Sequence, residues 1–165
     1  MHVISQVSAA DYEDARLSRV FNQRAPNRFP QAIVKAHDES SIIAAVKLAI
    51  EKHWRIAVRA GGHSFPVWSL HDDSILIDLG DFKKLEIDQH NRTAKVSPSI
   101  RSQDLNDVLI ENHGLMFPGG HCPDVGLGGF LLQGGMGWNC RVYCSSLVCY
   151  SSLPTDSRIA LGLGL

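Results

Sequence analysis

The chain has no apolar run long enough to cross a bilayer. Its first residues, Met1-His2-Val3-Ile4-Ser5-Gln6, lack the basic start and apolar centre of a secretory signal. The expected location is therefore cytoplasmic. An excess of charge is also missing. Sixteen Lys and Arg stand against 17 Asp and Glu, for a net charge of −1. Neither nucleic acid nor an anionic membrane surface is an expected partner for so neutral a chain. Cysteine is confined to the last third, at Cys122, Cys140, Cys144 and Cys149. These four cannot staple the whole fold as a secreted disulfide framework would. They form no Cys-x-x-Cys pair, and adjacent His121 and Cys122 suit one tetrahedral ion poorly, so no metal is expected. No internal repeat is present.

What the chain does have is glycine in clusters. The first is Arg59-Ala60-Gly61-Gly62-His63-Ser64. The apolar run Ile56-Ala57-Val58 leads into it as a buried strand. Two glycines then allow a sharp turn and a close approach to a ligand. Successive N–H groups in such a turn form an anion-binding nest, and His63 places an imidazole at its mouth. The plainer alternative is a tight turn with an incidental histidine. The second cluster holds eight glycines between residues 119 and 137, too many for a packed core element. It completes neither the three-glycine dinucleotide fingerprint nor the Gly-Lys-Ser/Thr phosphate loop.

The pattern between these clusters predicts mixed α and β structure. Residues 1–30 read as a polar extension, with a short surface helix over Asp11 to Val20, and order begins at Gln31. Ala32–Ala36 is a strand, and Asp38 or Ser40 caps a helix with Ile42, Ile43, Val46, Ala49 and Ile50 as its apolar stripe. His53-Trp54 closes that helix and Arg55–Arg59 follows as a strand, completing a right-handed βαβ unit. Ser74–Leu79 is a third strand. Leu85–Asp88 and Thr93–Val96 alternate and form a hairpin. Ser102 caps a second helix with Leu105, Val108 and Leu109 buried, and Gly114 ends it.

Taken in order, Arg59–Ser64 and Gly120-His121-Cys122-Pro123-Asp124-Val125-Gly126 closely resemble the FAD-binding PCMH-type domain of the vanillyl-alcohol oxidase superfamily. The nearer relatives are the berberine-bridge-enzyme-like and oligosaccharide oxidases. The resemblance runs over residues 31–141 and implies an α+β fold, a βαβ subdomain followed by the start of a second α+β subdomain. It implies FAD as cofactor, with backbone N–H groups of Ala60, Gly61, Gly62, His63 and Ser64 around the pyrophosphate. It implies that Gly119, Gly120, Val125, Gly126, Gly129 and Gly137 lie along the ribityl chain, the isoalloxazine or the adenine, with Trp138 and Asn139 bordering the same surface. In the family, the histidine matching His63 is commonly bonded to the flavin 8α-methyl carbon. In a subset the cysteine matching Cys122 is bonded to flavin C6, which makes a bicovalent flavin the expectation here. Two plainer roles stand beside these: His63 as a non-covalent neighbour and Cys122 as an inert buried thiol.

Residues 142–165 depart from the family in composition, turning to Ser and Cys, and are expected to be an aberrant or irregular tail of a truncated chain. The substrate domain and the substrate-side acid or base are then absent, so no catalytic residue is assigned. The expected activity is that of an FAD-dependent oxidase, or of its FAD-binding fragment, with a small-molecule substrate only in a full-length form. A non-catalytic fragment that at most binds FAD is the alternative.

Overall fold

The computed structural model describes residues 3–5, 9–91, 93–138 and 160–163. Asn139, Cys140, Arg141, Cys144 and Cys149 lie outside the described residues. The chain divides after Phe82 into two compact units.

The first unit is a sheet with a helix on each face. Its elements are β1 (Val3–Ser5), α1 (Ala9–Leu17), β2 (Ala32–Lys35), α2 (Glu39–Lys52), β3 (Arg55–Arg59) and β4 (Ser74–Asp78). The strand order is β1-β2-β4-β3. β4 lies between the two strands of the βαβ unit and runs parallel to both, while β1 is antiparallel to β2. Side chains alternate along a strand, so each face collects its own core. Ile33, Ala57 and Leu76 point to one face and pack with Ile4, Tyr12 and Ala15. Ala32, Val34, Ile75 and Ile77 point to the other and pack under Ala45 and Ala49 of α2.

Three details of this unit differ from the sequence reading. Order begins before Gln31, because β1 pairs Ile4 with Ile33 and α1 buries Tyr12 and Ala15. Polar anchors hold this segment. The Tyr12 hydroxyl donates to Pro30 O, and Arg16 donates to Pro26 O and pairs with Glu13. The first helix spans Ala9–Leu17 rather than Asp11 to Val20. In α2 the buried line is Ser41, Ala45 and Ala49, while Ile43 and Ile50 are exposed. Small residues let the helix sit close on the sheet, which turns the larger isoleucines outward. The caps agree with the sequence: Asp38 accepts from Ser41 N, and His53 ends the helix at φ 55°. Trp54 packs into the α2-side core.

The second unit contains β5 (Leu85–Asp88), β6 (Thr93–Val96), α3 (Ser102–His113), α4 (Leu127–Leu132) and β7 (Ala160–Leu163). β5 and β6 form the expected hairpin, with Leu85 opposite Val96. β7, from the segment set apart as a tail, pairs parallel with β6. The core gathers Ala94, Val96, Leu105, Leu109, Phe117, Leu127 and Phe130. Gly114 ends α3 at φ 60°. Ser102 is not its cap. Arg101 holds that position, its N–H donating to Asp104 Oδ2 at 3.3 Å, and Ser102 is the first helical residue. The Ser102 side chain is buried beside Gly119 instead of turning back over the helix end.

Candidate functional site in two glycine-rich stretches

The first stretch leaves the carboxyl end of β3 and begins the crossover to parallel β4. Parallel strands need a long crossover, and ligands of open α/β sheets settle beyond the carboxyl ends of the strands. Ala60, Gly61, Gly62, His63 and Ser64 are all half-buried there. Ser64 shapes the next turn: its carbonyl accepts from Val67 N at 3.1 Å and its hydroxyl from Trp68 N at 3.1 Å. Val67, β-branched and buried, sits at φ 55°, a strained conformation for its type. Trp68 is exposed.

The turn rests on buried charge. Arg59 and Asp78 are register partners on β3 and β4, and their side chains meet at 2.6 Å with 1% of each exposed. The same guanidinium donates to Ala15 O and Arg16 O near the end of α1. Asp78 also meets Arg19 Nε at 3.2 Å and accepts from Gly80 N at 2.8 Å. Such further bonds help offset the desolvation of a buried ion pair, although the buried Arg59 Nε itself has no partner among the described residues. Arg19 in turn fixes the turn from above. Gly62 has φ +76°, and a Cβ there would lie 1.8 Å from Arg19 O. Phe21 N donates to Gly62 O at 3.4 Å. The Phe21 ring stacks on the His63 imidazole, with centroids 4.5 Å apart and planes 11° from parallel.

The second stretch is held by backbone. Ser102 N and Gln103 N, the first donors of α3, reach Val125 O at 3.4 Å and Pro123 O at 3.3 Å. The loop therefore supplies the helix cap, which leaves Ser102 free to turn inward. Leu127 N donates to Ile100 O, Gly128 N to Pro98 O, and Arg101 bridges Gly126. Cys122 carries a free, half-buried thiol, and its carbonyl accepts from Val125 N. Gly137 packs on the same loop: a Cβ there would lie 1.9 Å from Gly119 O. Gly120 lies against the Phe130 ring, and Val125 packs at the edge of the core. Trp138 meets the His121 ring edge-on at 4.5 Å. The structure thus gathers Gly119, Gly120, Cys122, Val125, Gly126 and Gly137 into one loop cluster. Gly129 differs, being exposed with nothing within 4 Å of a Cβ built on it.

The model of the FAD binding domain family matches residues 30–155. The chain belongs to this family. A curated relative of this FAD-binding chain, the FAD-linked oxidoreductase penO of Penicillium crustosum, is 53% identical over 150 residues, covering 89% of this chain and 33% of that protein. Among solved structures, aclacinomycin oxidoreductase superposes with a TM-score of 0.76 at 29% identity, covering 88% of this chain and 29% of the other. A BBE-like protein of Physcomitrella patens superposes with a TM-score of 0.76 at 28% identity, covering 88% and 31%. The chain spans about a third of the length of the curated relatives it matches. The α+β fold and the PCMH-type family read from the two motifs are those of these neighbours.

Arg19, Phe21 and Asp78 take part in the architecture of this FAD-binding domain without having been singled out in the sequence. One signal was available for Asp78. Arg59 and Asp78 end strands whose alternation points both side chains at a core face, and two opposite charges there imply each other. Nothing local announces Phe21, which reaches His63 from 42 positions away. Among the described residues no group of three or more His, Cys, Asp or Glu side chains comes together as a metal site. No described helix is long and apolar enough to cross a membrane.

Proposed function

We propose that this chain holds FAD for an oxidase-type oxidoreductase. The observation that carries the reading is the half-buried His63 in a glycine turn at the carboxyl end of a parallel strand, within an FAD-binding domain. The bound flavin would take a hydride from a substrate C–H and return the electrons to dioxygen. The N–H groups of Ala60, Gly61, Gly62, His63 and Ser64 hold the pyrophosphate. Gly119, Gly120, Val125, Gly126, Gly129 and Gly137 belong to the segment that lies along the rest of the cofactor. The open space at Gly129 suits this role, because the protein's own packing does not require glycine there. His63 bonds to the 8α-methyl carbon and Cys122 to C6. A nucleophilic nitrogen and a thiol are the donors such bonds need, and neither is fully buried. The substrate of the oxidoreductase is a small molecule with an oxidisable C–H, a sugar, alcohol or amine.

The test is acid precipitation of the chain after expression with flavin. Yellow, fluorescent washed protein is expected, with His63→Ala and Cys122→Ala each losing one bond. Flavin that washes out completely rejects covalent attachment. A second reading, that the chain binds FAD without turnover, draws on its covering about a third of its relatives' length. Substrate-dependent oxygen uptake by the purified chain excludes that second reading.

A further inference from the structure

We propose that Phe21 is a positioning residue for His63: its ring sets the plane in which the imidazole meets the flavin. The inference rests on the covalent role of His63 proposed above. The stacked geometry, 4.5 Å between centroids and 11° between planes, fixes the rotation about the imidazole's last bond. Torsions of this type are broad where nothing packs on the ring. Phe21 is itself braced. Phe65 meets it edge-on at 5.0 Å and 87°. Its backbone N–H is tied to Gly62 O. Two residues earlier, Arg19 is paired with Asp78 and Asp81. Core burial does not explain the ring, because Phe21 is 40% exposed. A large apolar side chain left at the surface and laid flat on one imidazole is placed for that imidazole.

A C–N bond forms between an imidazole nitrogen of His63 and the methyl carbon. The N–H proton and one methyl proton leave to water. The two electrons pass through the flavin to dioxygen, which takes up two protons and departs as hydrogen peroxide. A nucleophile held in its attacking orientation reacts faster than one that must find it.

The experiment incubates the 165-residue apo-chain with FAD in air. It follows acid-stable flavin on the peptide containing residue 63 by mass spectrometry, and reversible FAD binding by tryptophan fluorescence. Phe21→Leu keeps an apolar side chain without a ring. It is expected to slow bond formation by up to about tenfold, the range an aromatic stack spans, with FAD affinity unchanged within about twofold. Phe21→Tyr, which restores the ring, is expected to return the rate to within about twofold of wild type. Phe65→Leu, at a more exposed site, removes only the brace and is expected to slow the bond less than Phe21→Leu does, which keeps the test intact should that variant fail to fold. A wild-type rate in Phe21→Leu, a loss that Tyr does not rescue, or a wild-type rate in Phe65→Leu where Phe21→Leu does not fold overturns the positioning role. Wild-type chain that binds FAD and forms no bond at residue 63 overturns the covalent reading itself, and the positioning role with it.

Discussion

The two glycine stretches serve one family fold and are held by opposite means. The first stands on buried charge, with Arg59, Asp78 and Arg19 joining β3, β4 and the segment after α1. The second stands on main-chain hydrogen bonds from the start of α3 and from Ile100 and Pro98, over an apolar core. Its own ion pair, Arg101 with Asp124, is half-exposed at 2.8 Å. Glycine also means different things in the two. Gly62 is demanded by a carbonyl of the protein itself, while Gly129 faces open space. A glycine-rich motif therefore mixes positions required by packing with positions left bare for a ligand, and only three-dimensional contacts separate them.

The sharpest way to break this contrast is to remove one charge from each stretch. Asp78→Ala strands the Arg59 guanidinium in the core, an uncompensated buried charge. Its expected cost is about 3–5 kcal/mol, read from urea denaturation by the fluorescence of Trp54 in the same unit. Arg101→Ala removes a solvent-screened pair and is expected to cost about 0–1 kcal/mol. Equal losses in the two variants would mean that the buried network is not what holds the first turn.

The glycines give the next largest effect. Gly62→Ala forces a side chain into a left-handed conformation and against Arg19 O, with an expected cost of about 2 kcal/mol or more. Gly129→Ala meets no neighbour and sits in α4, where alanine favours the helix by up to about 1 kcal/mol. Its melting temperature is expected to hold or rise while FAD affinity falls. Thermal melts paired with FAD titrations separate the two. Unchanged FAD affinity in Gly129→Ala would return that glycine to a local structural role.

Much of this was legible in one dimension. Alternation and turn chemistry placed β2, β3, β4 and the hairpin, and Asp38, His53 and Gly114 behaved as cap residues because their roles depend on neighbours a few positions away. The two motifs pointed to the FAD-binding family because each is a contiguous run. What stayed hidden depends on long-range partners. The polar residues 1–30 gave no sign that Ile4 would pair with Ile33, or that Arg19 and Phe21 would lie on the glycine turn. Ser102 looked like a cap because it is a serine ahead of a helix. The carbonyls of Val125 and Pro123, more than twenty residues on, accept from its own N–H and from that of Gln103, so Ser102 is the first residue of the helix and not its cap.

The smallest expected effects lie at the two units' aspartate turns, and they sharpen the comparison at low pH. In the first unit Asp38 accepts hydrogen bonds from Ser41 N, Ser41 Oγ and Ser40 Oγ, which bring its pKa down from 3.8 to about 2. In the second, Asn91 N and then Asn91 Nδ2 donate to Asp88 and hold it below its ordinary value. Each carboxylate is more acidic folded than unfolded, so its contribution is complete above the unfolded value and is lost as pH falls through the folded one. For Asp38 that window runs from 3.8 down to about 2. Asp38→Ala is expected to lower the melting temperature by a few degrees at neutral pH, as loss of a helix cap does. It is also expected to flatten the acid dependence of the first unit within that window. Asp88→Ala should leave the Trp54 signal unchanged and flatten only the response of the hairpin, read from its amide shifts. A Trp54 acid transition that keeps its slope in Asp38→Ala would rule out the cap of α2 as the source of the first unit's acid sensitivity.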